Sequence, residues 1–261
     1  MATEKEKMLA GELYDSTDPQ LVAERRHARD LTRAFNDTAA GDGPLRKQIL
    51  TELFGSVGRH VGIEPPFHCD YGYNIHLGDN VFFNFNCVVL DVMQVEIGSN
   101  TMFGPNVQIY TATHPLDAAE RRSELEFARS IKIGCDVWVG GSVVIAPGVS
   151  IGDRSVIGAG SVVVKDIPAD VFAAGNPCKI IRYLQTPTDL PGECNVGEAI
   201  SSVQARGYVS ILRRFGRLSA GTLSAHRLSA GTLSAGRFSA GRLSAGTLSA
   251  RRFSSSKLST D

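Results

Sequence analysis

The 261-residue sequence lacks any long apolar segment. No run of residues approaches the roughly 20 apolar positions that a helix needs to cross a bilayer. The opening residues, MATEKEKMLAGELY, also lack the apolar region and the small-residue cleavage site of a secretory signal. These two absences argue against a helical membrane protein and predict a cytoplasmic one.

Cysteine is scarce, and its spacing matches no common metal-binding pattern. The five cysteines are odd in number and include no CxxC pair. The six histidines show no ligand spacing either. We therefore predict no metal site. The same cysteine pattern favours free thiols in a reducing compartment over a disulfide framework.

Net charge is absent overall, but the two signs are unevenly distributed. Residues 211–261 carry nine Lys or Arg against one acid, a charge of +8, so the other 210 residues carry −8. From Gly216 a five-residue unit recurs, as in GRLSA and GTLSA. Its composition favours disorder, and a pentapeptide-type solenoid is the alternative. We predict that residues 184–261 form a linker and a basic tail, whose charge would suit nucleic acid or an anionic surface.

The first 60 residues have helical rather than strand patterns. Asp18 before Pro19 is typical of a helix start, and Gly43-Pro44 opens a further candidate helix. We predict a helical cap over residues 1–60, which either only closes the end of the fold or covers a substrate site. The apolar residues at helical spacing in its first segment are Met8, Leu9 and Leu13.

The most informative pattern is a six-residue repeat between about residues 74 and 168. This period fits neither a helix nor a simple strand, but it fits a solenoid coil with three six-residue sides. Glycine or alanine usually follows each apolar position, and we interpret it as easing the turn at each corner. A coil of about 18 residues gives roughly five coils. The predicted inward residues are Leu77, Phe83, Val89, Ile97, Phe103, Ile109, Ile133, Val139, Ile145, Ile151, Ile157 and Val163.

Two interruptions of the repeat are long enough to mark loops. Val89 and Ile97 are eight residues apart, and Ile109 and Ile133 are 24 apart. The second interval contains THPLDAAERRSELEFARS, which is polar and charged and predicts an excursion from the coil. His114 lies where this loop leaves the coil.

Several motifs occur in an order and spacing that resemble a known family. They are PPFHCDYGYNIHLG, NFNCVVLDV, YTATHPLD, VWVGGSVVIAPGVSIG and AAGNPCKIIR. Together with the N-terminal segment they resemble the maltose/galactoside O-acetyltransferases, which are hexapeptide-repeat acyltransferases, and the maltose type most closely. The resemblance covers about residues 3–183 and excludes the tail.

This resemblance implies a fold and an activity. It implies a left-handed parallel β-helix over residues 61–183, and transfer of acetyl from acetyl-CoA to a hydroxyl of a maltose- or glucose-type sugar. It also implies a homotrimer with sites between neighbouring chains. A same-fold enzyme for a lipo-chitooligosaccharide, another galactoside or a xenobiotic is one alternative, and a non-catalytic binding solenoid is another.

The resemblance also assigns residues to roles. His114, within T-x-x-H-P, corresponds to the general base, and a neutral imidazole suits proton abstraction near pH 7. The implied acceptor residues are Asp70, Asn84, Asp91 and Glu126. The implied acetyl-CoA residues are Asn84, Trp138, Gly141, Ala159, Val164, Lys165, Lys179 and Arg182, with the Gly141 N–H as the candidate donor to the thioester oxygen and the last two facing the phosphates.

Overall fold

A computed structural model describes residues 2–185 as a helical cap followed by a parallel β-helix. Most of the predicted linker and the whole pentapeptide tail lie outside these residues. The cap contains three helices, α1 (Glu4–Ala10), α2 (Pro19–Asn36) and α3 (Gly43–Leu53).

Capping residues set the starts of the first two helices. Thr3 accepts a hydrogen bond from the Glu6 N–H, and the Glu6 side chain accepts one from the Thr3 N–H, which forms a capping box. Asp18 accepts from two N–H groups in the first turn of α2, and Pro19 takes the first helical position, as predicted. Of the three apolar positions predicted near α1, only Met8 is buried, because the other two face solvent.

The β-helix has three parallel sheets, to which each full coil contributes one short strand. Sheet 1 contains β1 (Ser56–Val57), β4 (Ile75–Leu77), β7 (Val95–Ile97), β12 (Ile131–Ile133) and β15 (Ser150–Ile151). Sheet 2 contains β2 (Gly62–Ile63), β5 (Phe82–Phe83), β8 (Met102–Phe103), β13 (Trp138–Val139), β16 (Val156–Ile157) and β18 (Val171–Ala174), with β19 (Lys179–Tyr183) antiparallel at its edge. Sheet 3 contains β3 (Phe67–Cys69), β6 (Cys87–Leu90), β9 (Gln108–Tyr110), β14 (Val144–Ile145) and β17 (Val162–Val163).

Successive coils stack in register. Leu77, Ile97, Ile133 and Ile151, for example, are consecutive Cα partners across sheet 1. Five coils are complete, and β18 begins a sixth. The first coil starts at Ser56, which is earlier than the predicted start of the repeat near residue 74. We name the corners by the sheets that they join, so that the chain passes the 2–3 edge and then the 3–1 edge in each coil.

The predicted inward residues form the core. All twelve are buried, with at most 4% of their surface exposed. The rings of Phe83 and Phe103 stack with centroids 4.2 Å apart, and Phe67 packs edge-on against Phe83 at 5.7 Å. The residue two positions earlier in each side is also buried, as at Val81, Val107 and Val143. Two side chains per six residues therefore fill the interior of this narrow prism, and the repeat predicted one of them.

The corner residues have two different roles. Asn80, Asn100 and Asp136 adopt left-handed backbone with φ of 57°, 60° and 56°, which Asn and Asp tolerate better than most side chains. The glycines after the inward residues do not adopt left-handed backbone, so the prediction that they ease the turn is wrong. A Cβ on Gly140, for example, would lie 2.5 Å from the Ala159 backbone nitrogen of the next coil. Close approach of successive coils therefore requires these glycines.

The cysteines agree only in part with the prediction of free thiols. Cys69, Cys87 and Cys178 are free, whereas Cys135 is disulfide-bonded. Burial raises the pKa of Cys87 to about 11 and that of Cys69 well above its usual range. These two thiols stay protonated at neutral pH and pack in the core, which does not suit a nucleophile.

Candidate active site

The loop that interrupts the coil leaves the 3–1 edge after β9. Its two short strands pair antiparallel, with Thr113 opposite Phe127. His114 and Glu126 are the next facing pair of this hairpin, which explains why residues at opposite ends of the loop meet. The loop contains β10 (Ala112–Thr113), α4 (Ala118–Arg121) and β11 (Phe127–Ala128).

His114 and Glu126 face each other where the hairpin opens. His114 Nε2 lies 3.7 Å from Glu126 Oε2, and 53% of the His114 side chain is exposed against 17% of the Glu126 side chain. The distance is too long for a hydrogen bond, but it allows the carboxylate to stabilise a positively charged imidazole. The Tyr14 hydroxyl donates to the other oxygen, Glu126 Oε1, at 2.7 Å. The imidazole is accessible to a substrate, and the carboxylate is held on its far side.

Asp70 and Asp91 occupy the 3–1 edge in the first two coils. The Asp70 carboxylate accepts no hydrogen bond from the described residues, and burial raises its pKa while Arg25 and Arg29 oppose that rise. Asp91 is completely buried, and its Oδ1 accepts from the N–H groups of Asp70 and Tyr71, both at 2.9 Å. Asp91 is thus inaccessible to an acceptor in this structure and holds the corner that carries Asp70.

Replacing Asp91 with asparagine is expected to remove a pH dependence of stability. Burial raises the pKa of Asp91 to about 7, whereas an unfolded aspartate titrates near 3.9, so between about pH 4 and pH 7 only the folded state keeps the proton. The wild-type free energy of unfolding should therefore fall, relative to Asp91→Asn, as pH rises through this window, and the difference should be constant above it. Urea titrations of both proteins at about pH 4 and pH 8 measure this. A stability difference that is equal at both pH values would contradict it.

The 2–3 edge, across sheet 3 from the loop, carries unpaired backbone N–H groups. The Phe85 N–H donates to Asn84 Oδ1 at 2.8 Å, and Pro105, at the equivalent position one coil on, has no N–H. The next two equivalent positions are Gly141 and Ala159, whose N–H groups donate to no residue in the described part of the chain. These two donors are free to bind carbonyl groups of an extended ligand along this edge.

The other predicted donor residues are exposed. Trp138, on sheet 2 beside this edge, has 45% of its surface exposed, and its repeat phase predicts that outward position. Val164 is 48% exposed and lies with Lys165 at the 3–1 edge, two coils beyond the loop. Lys179 and Arg182 are exposed on β19.

Within one chain, these residues form two clusters and not one. The acceptor cluster at the 3–1 edge consists of Asp70, His114 and Glu126. The donor cluster at the 2–3 edge consists of Asn84, Gly141 and Ala159. Sheet 3 separates the two clusters, so a single chain does not bring the imidazole to the free N–H groups.

Sequence patterns give no role to three residues that contact the acceptor cluster. These residues are Tyr14, Arg25 and Tyr71. The Arg25 guanidinium donates to the Tyr71 hydroxyl and to the Ser16 carbonyl, both at 2.6 Å. The Tyr14–Glu126 and Arg25–Tyr71 contacts join the cap to the loop and to the β-helix, so no local motif marks them. The cap therefore reaches the candidate site, which supports its interpretation as a cover.

Two negative findings concern residues 2–185. No group of three or more His, Cys, Asp or Glu side chains in this part is arranged to hold a metal ion. None of its helices has both the length and the hydropathy of a bilayer span.

Known families match both parts of the fold. Residues 7–58 match the maltose acetyltransferase hexapeptide capping motif, and residues 130–165 match the bacterial transferase hexapeptide family with six repeats. A putative acetyltransferase of Saccharomyces cerevisiae is 49% identical over 180 residues, which cover 69% of this chain and 92% of the yeast protein.

Solved structures show the same similarity. A maltose O-acetyltransferase from Clostridium difficile 630 is 53% identical with a TM-score of 0.70, covering 71% of this chain and 99% of its own. A hexapeptide-repeat acetyltransferase of Vibrio cholerae in complex with acetyl coenzyme A is 41% identical, with a TM-score of 0.67. The match covers 71% of this chain and 100% of that chain. A galactoside acetyltransferase in complex with coenzyme A is 39% identical, with a TM-score of 0.69, and the match covers 71% of this chain and 92% of that chain. The chain therefore belongs to the hexapeptide-repeat acetyltransferase family and carries the maltose acetyltransferase capping motif.

Proposed function

We propose that the protein transfers acetyl from acetyl-CoA to a hydroxyl group of a maltose- or glucose-type sugar. The observation that carries this proposal is the exposed imidazole of His114, 3.7 Å from the Glu126 carboxylate. The charge of Glu126 also acts on the Asp70 carboxylate, which accepts no hydrogen bond from the described residues. The similar enzymes named for maltose and galactoside support a sugar acceptor, and the complexes of such enzymes with coenzyme A support the donor.

His114 is the general base in this proposal. An unprotonated ring nitrogen takes the hydroxyl proton as the sugar oxygen attacks the thioester carbonyl carbon. Glu126 stabilises the positive charge that the ring then carries. The C–S bond breaks, and the leaving thiolate takes the proton from the imidazolium, which restores the base. Because the sugar attacks the thioester directly, no acetyl-enzyme forms.

The donor cluster is proposed to hold the acetyl donor. The N–H groups of Gly141 and Ala159 are free to bind carbonyl oxygens, and Gly141 is the candidate that stabilises negative charge on the thioester oxygen. The further contacts that we propose are Trp138 beside the 2–3 edge, Val164 and Lys165 at the 3–1 edge, and the positive charges of Lys179 and Arg182, which face the phosphates.

The acceptor is proposed to be recognised by Asp70 and Asn84. The Asp70 carboxylate has lone pairs that no described residue uses, so it can accept from sugar hydroxyls. Asn84 Oδ1 is held by the Phe85 N–H, which leaves its NH₂ group to donate to the acceptor or the thioester region. A site that hydrogen-bonds hydroxyls in this way discriminates strongly against deoxy sugars.

The separation of the two clusters supports a homotrimer in which each site lies between two chains. The outward row of sheet 2 is apolar, whereas that of sheet 1 is polar, and an apolar row of this length is expected to be covered. If the 2–3 edge of one chain packs against the 3–1 edge of the next, the donor cluster meets His114. The sheet 2 row is Phe82, Met102, Trp138, Val156 and Phe172, and the sheet 1 row is Ser56, His76, Glu96, Lys132 and Ser150.

Mixed assemblies test this shared site. We expect co-refolded His114→Ala and Asn84→Ala chains to regain acetyl transfer that neither variant has alone, because some interfaces then combine an intact acceptor cluster with an intact donor cluster. The measurement is CoA release with maltose, followed with a thiol reagent. A mixture no more active than its components would contradict a site shared between chains.

A panel of acceptors tests the function itself. With acetyl-CoA as donor, we expect CoA release to be fastest with maltose or glucose and much slower with their deoxy analogues. Faster transfer to a galactoside, a chitooligosaccharide or a xenobiotic would replace the proposed acceptor class. No transfer to any member of the panel would favour a non-catalytic solenoid.

A further inference from the structure

One residue pair joins the cap to the candidate catalytic loop. Tyr14 and Glu126 form an antiparallel bridge, in which the Tyr14 N–H donates to the Glu126 carbonyl at 3.0 Å and the Glu126 N–H donates to the Tyr14 carbonyl at 3.2 Å. Gly11, with φ of 74°, ends α1 and redirects the chain toward this contact. The cap thereby adds one bridge to the hairpin that carries His114.

The side chains of the same pair are also bonded. Tyr14 is completely buried, and its hydroxyl donates to Glu126 Oε1 at 2.7 Å. Burial raises the pKa of Tyr14, and the hydrogen bond to Glu126 raises it further. The phenol therefore remains a donor throughout the neutral range. With Oε1 held in this way, Oε2 lies 3.7 Å from His114 Nε2.

A glutamate carboxylate does not hold its orientation by itself. The terminal torsion of glutamate has a broad energy profile, so the carboxylate turns readily unless a partner anchors one oxygen. Among the described residues, Tyr14 is the anchor of Glu126 Oε1. Without the phenol hydroxyl, the distance from Glu126 to the imidazole would become variable, and a displacement of about 1 Å at a reacting group can reduce a rate by roughly 10²-fold.

We propose that Tyr14 is a positioning residue for acetyl transfer, whose hydroxyl holds Glu126 so that the carboxylate faces His114. This inference rests on the proposed general-base role of His114. It gives the helical cap a part in the chemistry in addition to covering the acceptor cluster, because the cap supplies the group that orients the carboxylate.

The test is a double-mutant cycle on kcat. Tyr14→Phe keeps the buried ring and removes only the hydroxyl, and we expect it to lower kcat roughly tenfold with the KM for acetyl-CoA within about twofold of wild type. Glu126→Gln should lower kcat by at least as much. Because Tyr14 acts through Glu126, adding Tyr14→Phe to Glu126→Gln should change kcat by no more than about twofold.

Tyr73→Phe is a matched control. The Tyr73 hydroxyl donates to Glu24 Oε2 at 2.7 Å, and burial likewise raises the pKa of Tyr73. This pair also joins the cap to the β-helix, but its hydroxyl bonds Glu24 and not Glu126. We expect Tyr73→Phe to leave kcat unchanged even if it lowers the melting temperature.

The outcomes separate this inference from the proposed function. Near-normal turnover by His114→Ala would overturn the proposed function. If His114→Ala is inactive but Tyr14→Phe costs the same factor with and without Glu126→Gln, or costs nothing, the base remains and the positioning role is wrong. If Tyr14→Phe does not fold, 4-aminophenylalanine at position 14 keeps the ring and an N–H donor; wild-type kcat in that variant supports the inference, and a loss like that of Glu126→Gln overturns it.

Discussion

Replacing His114 with alanine is expected to lower kcat by about 10²–10⁴-fold, the usual contribution of a general base. The side chain is half exposed and belongs to neither apolar core cluster of the fold. The melting temperature and the affinity for acetyl-CoA should therefore stay close to the wild-type values. CoA release with a sugar acceptor and calorimetric titration with acetyl-CoA measure the two quantities separately.

His27 offers a matched control for this substitution. It is also an exposed histidine beside a glutamate, with Nε2 3.9 Å from Glu52 Oε1, but its partner is a residue of the cap and not of the loop. We expect His27→Ala to retain full turnover. Near-normal turnover by His114→Ala would show that another group takes the proton, and weakened acetyl-CoA binding would show that His114 supports the donor and not the chemistry.

Replacing Gly140 with alanine is expected to destabilise the β-helix severely. The new Cβ would lie 2.5 Å from the Ala159 nitrogen, 2.8 Å from its Cα and 2.9 Å from the Ile157 carbonyl oxygen. All three atoms are backbone, so no side-chain rotation relieves the overlap and adjacent coils must separate. Overpacking of this kind costs about 3 kcal/mol and can prevent folding. Urea denaturation followed by circular dichroism measures the loss.

Gly41 is the control for Gly140. A Cβ at position 41 would meet nothing within 4 Å, so Gly41→Ala should change the free energy of unfolding by less than about 0.5 kcal/mol. If Gly140→Ala were as stable as the wild-type protein, the coils could not be as closely packed as the structure shows. The original prediction, that glycine occupies these positions because it eases the turn at each corner, would then be sufficient.

The core could be predicted from the sequence because each coil repeats the same constraint. Each side places an apolar residue inward at the same point, so these positions are visible as a period, whereas the second buried position two residues earlier was not predicted. The repeat was counted only from Leu77, although Val57, Ile63 and Cys69 continue the six-residue spacing and the last two lie within the predicted β-helix of residues 61–183. The interval from Cys69 to Leu77 is eight residues, the same as from Val89 to Ile97, and these longer corners both lie at the 3–1 edge.

The candidate site could be predicted only in part. The break in the repeat identifies the loop and His114, since a departure from a regular pattern is itself a sequence signal. Tyr14 and Arg25 could not be found in this way, because their partners lie far away along the chain. Burial is also hidden, as Asp91 shows: its motif suggested contact with the acceptor, but its carboxylate bonds the backbone of the neighbouring coil.

Direct transfer from acetyl-CoA to a sugar, with His114 as base, is tested most directly by following the acetyl group through a single turnover. Excess enzyme would be mixed with acetyl-CoA and maltose, quenched at intervals, and both protein and sugar analysed by mass spectrometry. Direct transfer predicts that acetyl appears on the sugar as CoA is released, that the protein mass never changes, and that the His114→Ala variant leaves acetyl-CoA intact. An acetylated protein that forms before the sugar ester, or normal transfer by the variant, would contradict it.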